Sequence, residues 1–90
     1  MFEIKFSGRF KKDFKKYQNN AKDYFVIENA LKTLRSEGDL ADAKYKTHAL
    51  EGNFIHHFDS HLKPDLILIW KKSESAIILI RLGKHSELFK

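Results

Sequence analysis

The sequence of 90 residues contains no cysteine. This absence excludes both a disulfide framework and a thiolate metal site, so aliphatic and aromatic packing must hold the chain together. Only one proline is present, and 42% of the residues are hydrophobic and 32% charged. That composition is typical of a globular domain rather than of a disordered tail. We expect a single domain over residues 1–90, because a chain of this length buries one core.

The sequence also lacks a long hydrophobic run. No apolar segment approaches the roughly 18 residues that are needed to cross a bilayer. The N-terminal segment MFEIKFSGRF has no apolar region of the signal-peptide kind. We therefore expect a cytoplasmic protein without a membrane partner.

The charge balance of the chain is basic. Seventeen Lys and Arg residues against twelve Asp and Glu give a net charge of +5, which favours a polyanionic partner such as RNA, DNA or an acidic protein segment. Some small basic domains have no such partner, so charge alone leaves both interpretations open. No segment has the pattern of a DNA-binding motif.

The N-terminal region alternates apolar and polar residues at Phe2, Ile4 and Phe6, which predicts a short strand with one buried face. Ser7 is a suitable N-cap for a following helix. The apolar stripe of this helix is formed by Phe10, Phe14 and Tyr17, and the opposite face by Lys11, Lys12, Lys15 and Lys16.

A second helix is predicted after the polar segment 18–22. Asp23 is its candidate N-cap and Gly38 its candidate C-terminal stop. Its apolar stripe consists of Ile27, Ala30, Leu31 and Leu34. Residues 39–52 show no sustained period and are predicted to form a long loop.

The rest of the chain has the pattern of an antiparallel meander, with strands near 53–61, 66–71 and 76–82 and turns near 63–65 and 72–74. A short helical or irregular tail follows. The predicted fold class is α+β, in the order β-α-α-β-β-β, with two N-terminal helices packed on a small, mainly antiparallel twisted sheet of about four strands.

Titratable side chains are concentrated in the segment HFDSHLKPD, residues 57–65. In a strand, His57, Asp59 and His61 lie on one face. A solvated sheet face would explain any one of these residues, so an argument for chemistry depends on clustering. In a meander, the end of the last strand approaches the loop that enters the sheet. The groups that would then converge are His48, His61, Asp65, Arg81 and His85.

Such a cluster has the groups that RNA cleavage by 2′-hydroxyl attack requires. The reaction needs a base for the 2′ proton, a cation for the charge on the phosphate and an acid for the leaving 5′-oxygen. Imidazole, with an ordinary pKa near 6.5, can accept or donate a proton at neutral pH. A metal ion is not predicted, because His57 and His61 are roughly 13 Å apart in a strand and cannot chelate one ion. We expect no cofactor.

Three separated blocks of the sequence, YKTHALEG (45–52), HLKPDLILIW (61–70) and RLGKHSELF (81–89), resemble the YafQ branch of the RelE superfamily of bacterial type II toxins. The resemblance spans almost the whole chain and implies a RelE-like fold. It further implies an mRNA interferase, an endoribonuclease that cleaves mRNA on the ribosome and is silenced by a cognate antitoxin. We expect DNA contact only through that antitoxin.

The resemblance also implies roles for individual residues. His48, His61 and Asp65 would form the base and substrate-positioning group, and His85 would be the general acid. The implied substrate-binding and phosphate-binding residues are Arg81, Phe89, Lys63 and Lys84. The lysines of the first helix, Lys11, Lys12, Lys15 and Lys16, would dock on ribosomal phosphates.

The sequence departs from the family pattern at two positions. Phe58 stands where relatives tend to have arginine, and Leu66 where some have tryptophan. The loss of a cation at position 58 favours a second interpretation, a non-catalytic or gyrase-targeting member of the superfamily that acts by partner binding. The full histidine set argues against the gyrase-targeting version.

Overall fold

The computed structural model describes residues 1–50 and 56–89. The helices and strands, in chain order, are β1 (Glu3–Phe6), α1 (Gly8–Phe14), α2 (Ala21–Glu37), β2 (His48–Ala49), β3 (His57–Lys63), β4 (Leu66–Lys72), β5 (Ala76–Gly83) and α3 (His85–Leu88). A 3₁₀ turn over Ala43–Tyr45 precedes β2. The predicted α+β fold, with two N-terminal helices on a mainly antiparallel sheet, is confirmed.

The sheet has five strands in the order β1-β5-β4-β3-β2. β1 runs parallel to β5, and the other neighbouring strands are antiparallel. The prediction of about four strands missed β2, which is the fifth. The prediction of a loop over 39–52 was wrong at the 3₁₀ turn and at β2. A two-residue strand has no room for a hydrophobic period, so its pairing with β3 cannot be seen in the sequence.

Ser7 begins α1 as predicted, because its Oγ accepts the Phe10 N–H over 3.0 Å. The same hydroxyl donates to the Ile80 carbonyl over 2.8 Å and ties the start of α1 to β5. The helix ends at Phe14, one turn earlier than the apolar stripe suggested, so Tyr17 lies in the turn that follows.

The prediction of Asp23 as N-cap of α2 was wrong. Asn20 caps the helix instead, and its Oδ1 accepts the Asp23 N–H over 3.1 Å. Both residue types cap helices well, and the polar segment before the apolar stripe offers several starting points. The predicted stop at Gly38 is confirmed, because this residue has a φ of +71° and ends the helix in the left-handed conformation.

The predicted meander is confirmed in β3, β4 and β5, which extend one or two residues past their predicted C-terminal ends. The predicted start of β3 at residue 53, and the predicted loop end at 51–52, lie outside the described residues. The predicted strand was wrong at His56, which has a φ of +64° and lies in a turn before β3 begins at His57. All residues of β4 from Leu66 to Trp70 are buried, as its near-continuous apolar run predicts. The core lies between the sheet and the helices α1 and α2 and includes Phe10, Ile27, Leu34, Leu68, Trp70 and Leu79.

Neither α1 nor α2, nor any other helix within the described ranges, is long and apolar enough to cross a membrane.

Candidate active site

The sheet face opposite the core carries three of the residues that the sequence singled out, His48, His61 and Arg81. Its register aligns His48 on β2 with Asp59 on β3, Asp59 with Ile69 on β4, and Ile69 with Arg81 on β5. Directly paired residues share a face. The backbones of His48 and Arg81 are therefore about 14 Å apart, which is three strand spacings of about 4.8 Å, with both residues on this face.

A second row of this face lies closer to the β3–β4 hairpin. His61 on β3 pairs with Ile67, which pairs in turn with Gly83 at the end of β5. His85 follows Gly83 by two residues and opens α3. The prediction that His57, Asp59 and His61 share one face is confirmed by the register of β3 on β4.

The hairpin turn brings Asp65 to the start of α3. Lys63 and Leu66 are paired, so Pro64 and Asp65 form a two-residue turn in which the proline ring fixes φ near −65°. Asp65 Oδ1 accepts the backbone N–H of His85 over 3.4 Å. This contact joins residues that are 20 positions apart in the sequence, at the end of the face where His61 also lies.

His48 is placed beside a partly buried carboxylate. Its Nδ1 lies 3.8 Å from Asp59 Oδ1, and the His48 side chain is 70% exposed whereas that of Asp59 is 17% exposed. Asp59 Oδ1 is buried and has no hydrogen-bond partner among the described residues. The carboxylate can therefore accept a hydrogen bond from an imidazole N–H of His48 after a shift of less than 1 Å, since N–H···O⁻ hydrogen bonds span about 2.7–3.0 Å.

Arg81 is fixed by Asp13, a buried residue of α1. The Arg81 Nε donates to Asp13 Oδ2 over 2.8 Å, and a terminal guanidinium nitrogen donates to Oδ1 over 3.3 Å. Asp13 Oδ2 also accepts the Leu82 N–H over 3.0 Å. Burial tends to raise the pKa of Asp13, but the bonds from Arg81 and Leu82 outweigh it and hold that pKa below its ordinary value. The hydrogen bond to Asp13 in turn raises the pKa of the Arg81 guanidinium, which remains charged.

The short helix α3 is tied to the segment after α1 by Glu87. Glu87 Oε1 accepts the backbone N–H of Lys84 over 2.8 Å and the phenol of Tyr17 over 3.1 Å. Lys16 Nζ lies 3.5 Å from Glu87 Oε2. The hydrogen bond from the Lys84 amide is the main cause of the lowered pKa of Glu87. Burial, and then the bond to Glu87, raise the pKa of Tyr17 to about 12. These contacts fix the helix on which His85 stands.

A pocket of about 490 Å³ opens on the same face. Ile69, Ile80 and Leu88 form its apolar lining, and Phe89 and Arg81 also line it. The Phe89 side chain is 37% exposed, and its ring centroid lies 4.9 Å from that of His85. An apolar lining with an aromatic ring and a guanidinium suits a nucleobase and its phosphate.

The predicted lysines occupy three places. Lys63, at the end of β3, forms an ion pair with Asp23 over 2.7 Å, and Lys84 is the N-cap of α3. Neither lies within the two rows of the sheet face. The predicted placement of four lysines on the first helix was wrong for Lys15 and Lys16, because α1 ends at Phe14. All four side chains are exposed, two on α1 and two in the turn after it, and Lys16 is paired with Glu87.

Residues 1–50 and 56–89 contain no group of three or more His, Cys, Asp or Glu side chains placed to hold a metal ion.

Sequence reasoning missed the partners that position the site. Asp13 had a usable signal, because it lies on the apolar stripe of α1 between Phe10 and Phe14, where a charge needs a buried partner. Asp59 was placed on the correct face, but its approach to His48 depends on β2, which was not predicted. Tyr17 was assigned to the core stripe, and nothing local links it to Glu87.

Comparisons with known proteins agree over almost the full length. The family described as bacterial toxin of type II toxin-antitoxin system, YafQ, matches residues 2–90. The mRNA interferase toxin YafQ of Escherichia coli strain K12 is 33% identical over 87 residues, which cover 97% of this chain and 95% of that protein.

Solved structures show the same fold. The toxin of the E. coli DinJ-YafQ complex superposes with a TM-score of 0.89 at 32% identity and full coverage of both chains. A metal-bound toxin from Helicobacter pylori gives a TM-score of 0.84 at 40% identity, with 99% of this chain and 100% of that chain covered.

Proposed function

This chain belongs to the YafQ family of bacterial type II toxins, and on that premise we propose that it cleaves mRNA on the ribosome by metal-independent acid-base catalysis. The proposal is supported chiefly by one observation. Three residues from distant segments, His48, His61 and Arg81, share one face of the sheet, and Asp13 fixes the guanidinium of Arg81. At the hairpin end of this face, Asp65 binds the backbone of His85.

The proposed reaction starts with removal of the 2′ proton of the nucleotide to be cut. His48, His61 or Asp65 takes this proton, and the 2′-oxygen attacks the adjacent phosphorus. His85 protonates the 5′-oxygen as the P–O bond breaks. The products are a 2′,3′-cyclic phosphate and a free 5′-hydroxyl. His85 suits the acid role because it is exposed on α3 and its backbone is fixed beside Asp65.

Arg81 supplies the positive charge in this mechanism. Two of its nitrogens are bound to Asp13, which leaves its remaining donors for the phosphate. A guanidinium that is already oriented stabilises developing negative charge without the cost of reorganisation. Phe89, beside His85 in the apolar pocket, offers a stacking surface for a base of the message.

We assign the ribosome and an antitoxin as partners. The exposed lysines of α1 and of the turn after it provide a surface for ribosomal phosphates. Phe25 and Tyr24 on α2 are 66% and 43% exposed, and such aromatic groups suit an acidic segment that orders on the basic toxin. Any operator DNA would be bound through that antitoxin. Translating ribosomes place the activity in the cytoplasm.

The test uses His85→Asn with a matched control. Both His85 and His56 are exposed, and asparagine tolerates the left-handed backbone of His56, which has a φ of +64°. On ribosomes loaded with mRNA, wild type and His56→Asn should cut the message. His85→Asn should fold normally and lose about 10²–10⁴-fold in rate.

The same RNA without ribosomes should be cut far more slowly by the wild type. Intact mRNA on ribosomes with wild-type protein would contradict the proposal. Arrested replication with intact messages would instead support action by partner binding.

A further inference from the structure

A second pocket, separate from the apolar one, lies where the 3₁₀ turn meets the end of β3. Its volume is about 420 Å³, and we call it the lysine pocket after the residues that line it: Lys44, Lys46, His61, Leu62, Lys63 and Pro64. This volume falls within the usual range of ligand sites, about 300–1,000 Å³. Every charged side chain in the lining is cationic.

The two lysines of the turn carry the uncompensated charge of this pocket. Lys63 is paired with Asp23 over 2.7 Å. Lys44 and Lys46 are exposed, and no carboxylate of the described residues lies within ion-pair distance of either one. The Lys44 ammonium lies 5.2 Å from the centroid of the Tyr45 ring, which leaves its donors available.

The turn that carries these lysines is anchored in the core. Asp42 Oδ1 accepts the Lys44 N–H over 3.0 Å and caps the turn, and the Tyr45 side chain is buried. Lys46 has the left-handed backbone that ends the turn. The following residue, Thr47, bonds the Leu40 carbonyl over 2.8 Å and the Ser60 hydroxyl over 2.7 Å. The lysines therefore stand on a pre-organised support.

His61 connects the lysine pocket to the candidate active site. It lies on the catalytic sheet face and also lines the pocket. A register shift between His61 and Lys63 on β3 lets neighbouring side chains of this strand line one cavity. One ligand could therefore reach from the sheet face into the lysine pocket. Because both places present cations, the ligand that suits them is a chain with negative charges at intervals along its length.

We propose that the lysine pocket binds a backbone phosphate of the RNA strand next to the phosphate that is cut. This inference rests on the proposed function, and it adds a binding subsite formed by Lys44 and Lys46. RNA is favoured over an acidic protein segment because His61, a candidate base, lies in the pocket wall.

The test measures binding of fluorescently labelled single-stranded RNA to the full chain that carries His85→Asn, so that no cleavage occurs. The variant is Lys44→Gln/Lys46→Gln. The control is Lys5→Gln/Lys32→Gln, which removes the same charge from exposed positions on β1, at the opposite edge of the sheet, and on α2.

For a nonanucleotide, loss of both lysines should release one phosphate contact, which reduces the slope of log affinity against log salt by about 0.7 and the affinity about 5-fold near 0.1 M salt. The control should lose less, and a dinucleotide should be affected little. A slope equal to that of the control would overturn the proposal. So would intact RNA binding with weaker binding of a polyglutamate peptide, which would assign the pocket to an acidic protein segment.

These outcomes are independent of the proposed reaction. Cleavage assays on wild type test the nuclease function, whereas the binding slopes test the subsite. A chain that binds RNA through this pocket without cutting mRNA would refute the nuclease function and would still support the RNA-binding subsite.

Discussion

Asp13 on α1 holds Arg81 on β5 through two hydrogen bonds of 2.8 and 3.3 Å, across a sequence separation of 68 residues. The same carboxylate binds the Leu82 amide over 3.0 Å. One buried acid thus fixes both the strand end and the guanidinium that we assign to the phosphate. This arrangement makes Asp13 a positioning residue for the proposed reaction.

Replacing Asp13 with asparagine should lower activity through Arg81. The amide has one oxygen instead of two, so the guanidinium loses its bidentate partner and its fixed orientation. We expect a lower kcat with little change in KM, measured on ribosome-bound mRNA. In an Arg81→Ala background, Asp13→Asn should cause no further loss of kcat.

The matched control is Glu74→Gln, which removes a carboxylate from the exposed β4–β5 turn and should leave kcat unchanged. An equal loss from Asp13→Asn with and without Arg81 would contradict the positioning role.

The Asp13 carboxylate should also make folding stability sensitive to acid. Its folded-state pKa lies below the ordinary value of 3.8, so its stabilisation is complete above that value and is lost as the pH falls through the folded-state pKa. Near neutral pH, Asp13→Asn should cost about 1–3 kcal/mol of unfolding free energy, and near pH 2 the difference should shrink.

Urea unfolding of both proteins at the two pH values measures this difference. A cost that stays constant with pH would show that the charge of Asp13 does not contribute.

Removing the Tyr17 hydroxyl should loosen α3. Tyr17→Phe deletes the bond to Glu87 Oε1, and we expect a loss of about 0.5–1.5 kcal/mol in stability. Backbone amides of α3 should exchange faster with solvent, and cleavage should fall because His85 stands on this helix. Tyr24→Phe, at an exposed position of α2, is the control. Unchanged exchange in α3 would contradict the tether.

The raised pKa of Tyr17, about 12, gives a direct spectroscopic signature. A group whose folded-state pKa is raised stabilises the fold below its unfolded pKa, which is 10.0 for tyrosine, and loses this effect as the pH rises through the folded value. Because ionisation is also delayed, the absorbance difference between wild type and Tyr17→Phe should contain only about a tenth of the full phenolate signal near pH 11. A phenolate signal that appears near pH 10 would contradict the assigned contact.

The sequence patterns predict well where a local period or cap determines the structure. Ser7, Gly38 and the apolar run of β4 are local signals, and the alternation of β3 placed His57, Asp59 and His61 on one face. The hairpin at Pro64 carries a signal of the same kind. These features were sufficient to predict the α+β class and the strands of the meander.

The contacts that complete the candidate site have no local signal. The pairing of β2 with β3 depends on backbone hydrogen bonds between segments whose side chains show no period. Asp13 and Arg81 are brought together only by packing of α1 on β5, and Lys44 and Lys46 lie in a segment predicted to be a loop. Such relationships depend on tertiary structure, which single-sequence patterns do not encode.

The parallel pairing of β1 with β5 has a consequence for the newly made chain. Residues 3–6 leave the ribosome early, yet their strand partner begins at residue 76, and closure of so long a loop comes late in folding. A nascent toxin therefore cannot complete its sheet, or bring Asp13 to Arg81, until nearly all of it has been synthesised.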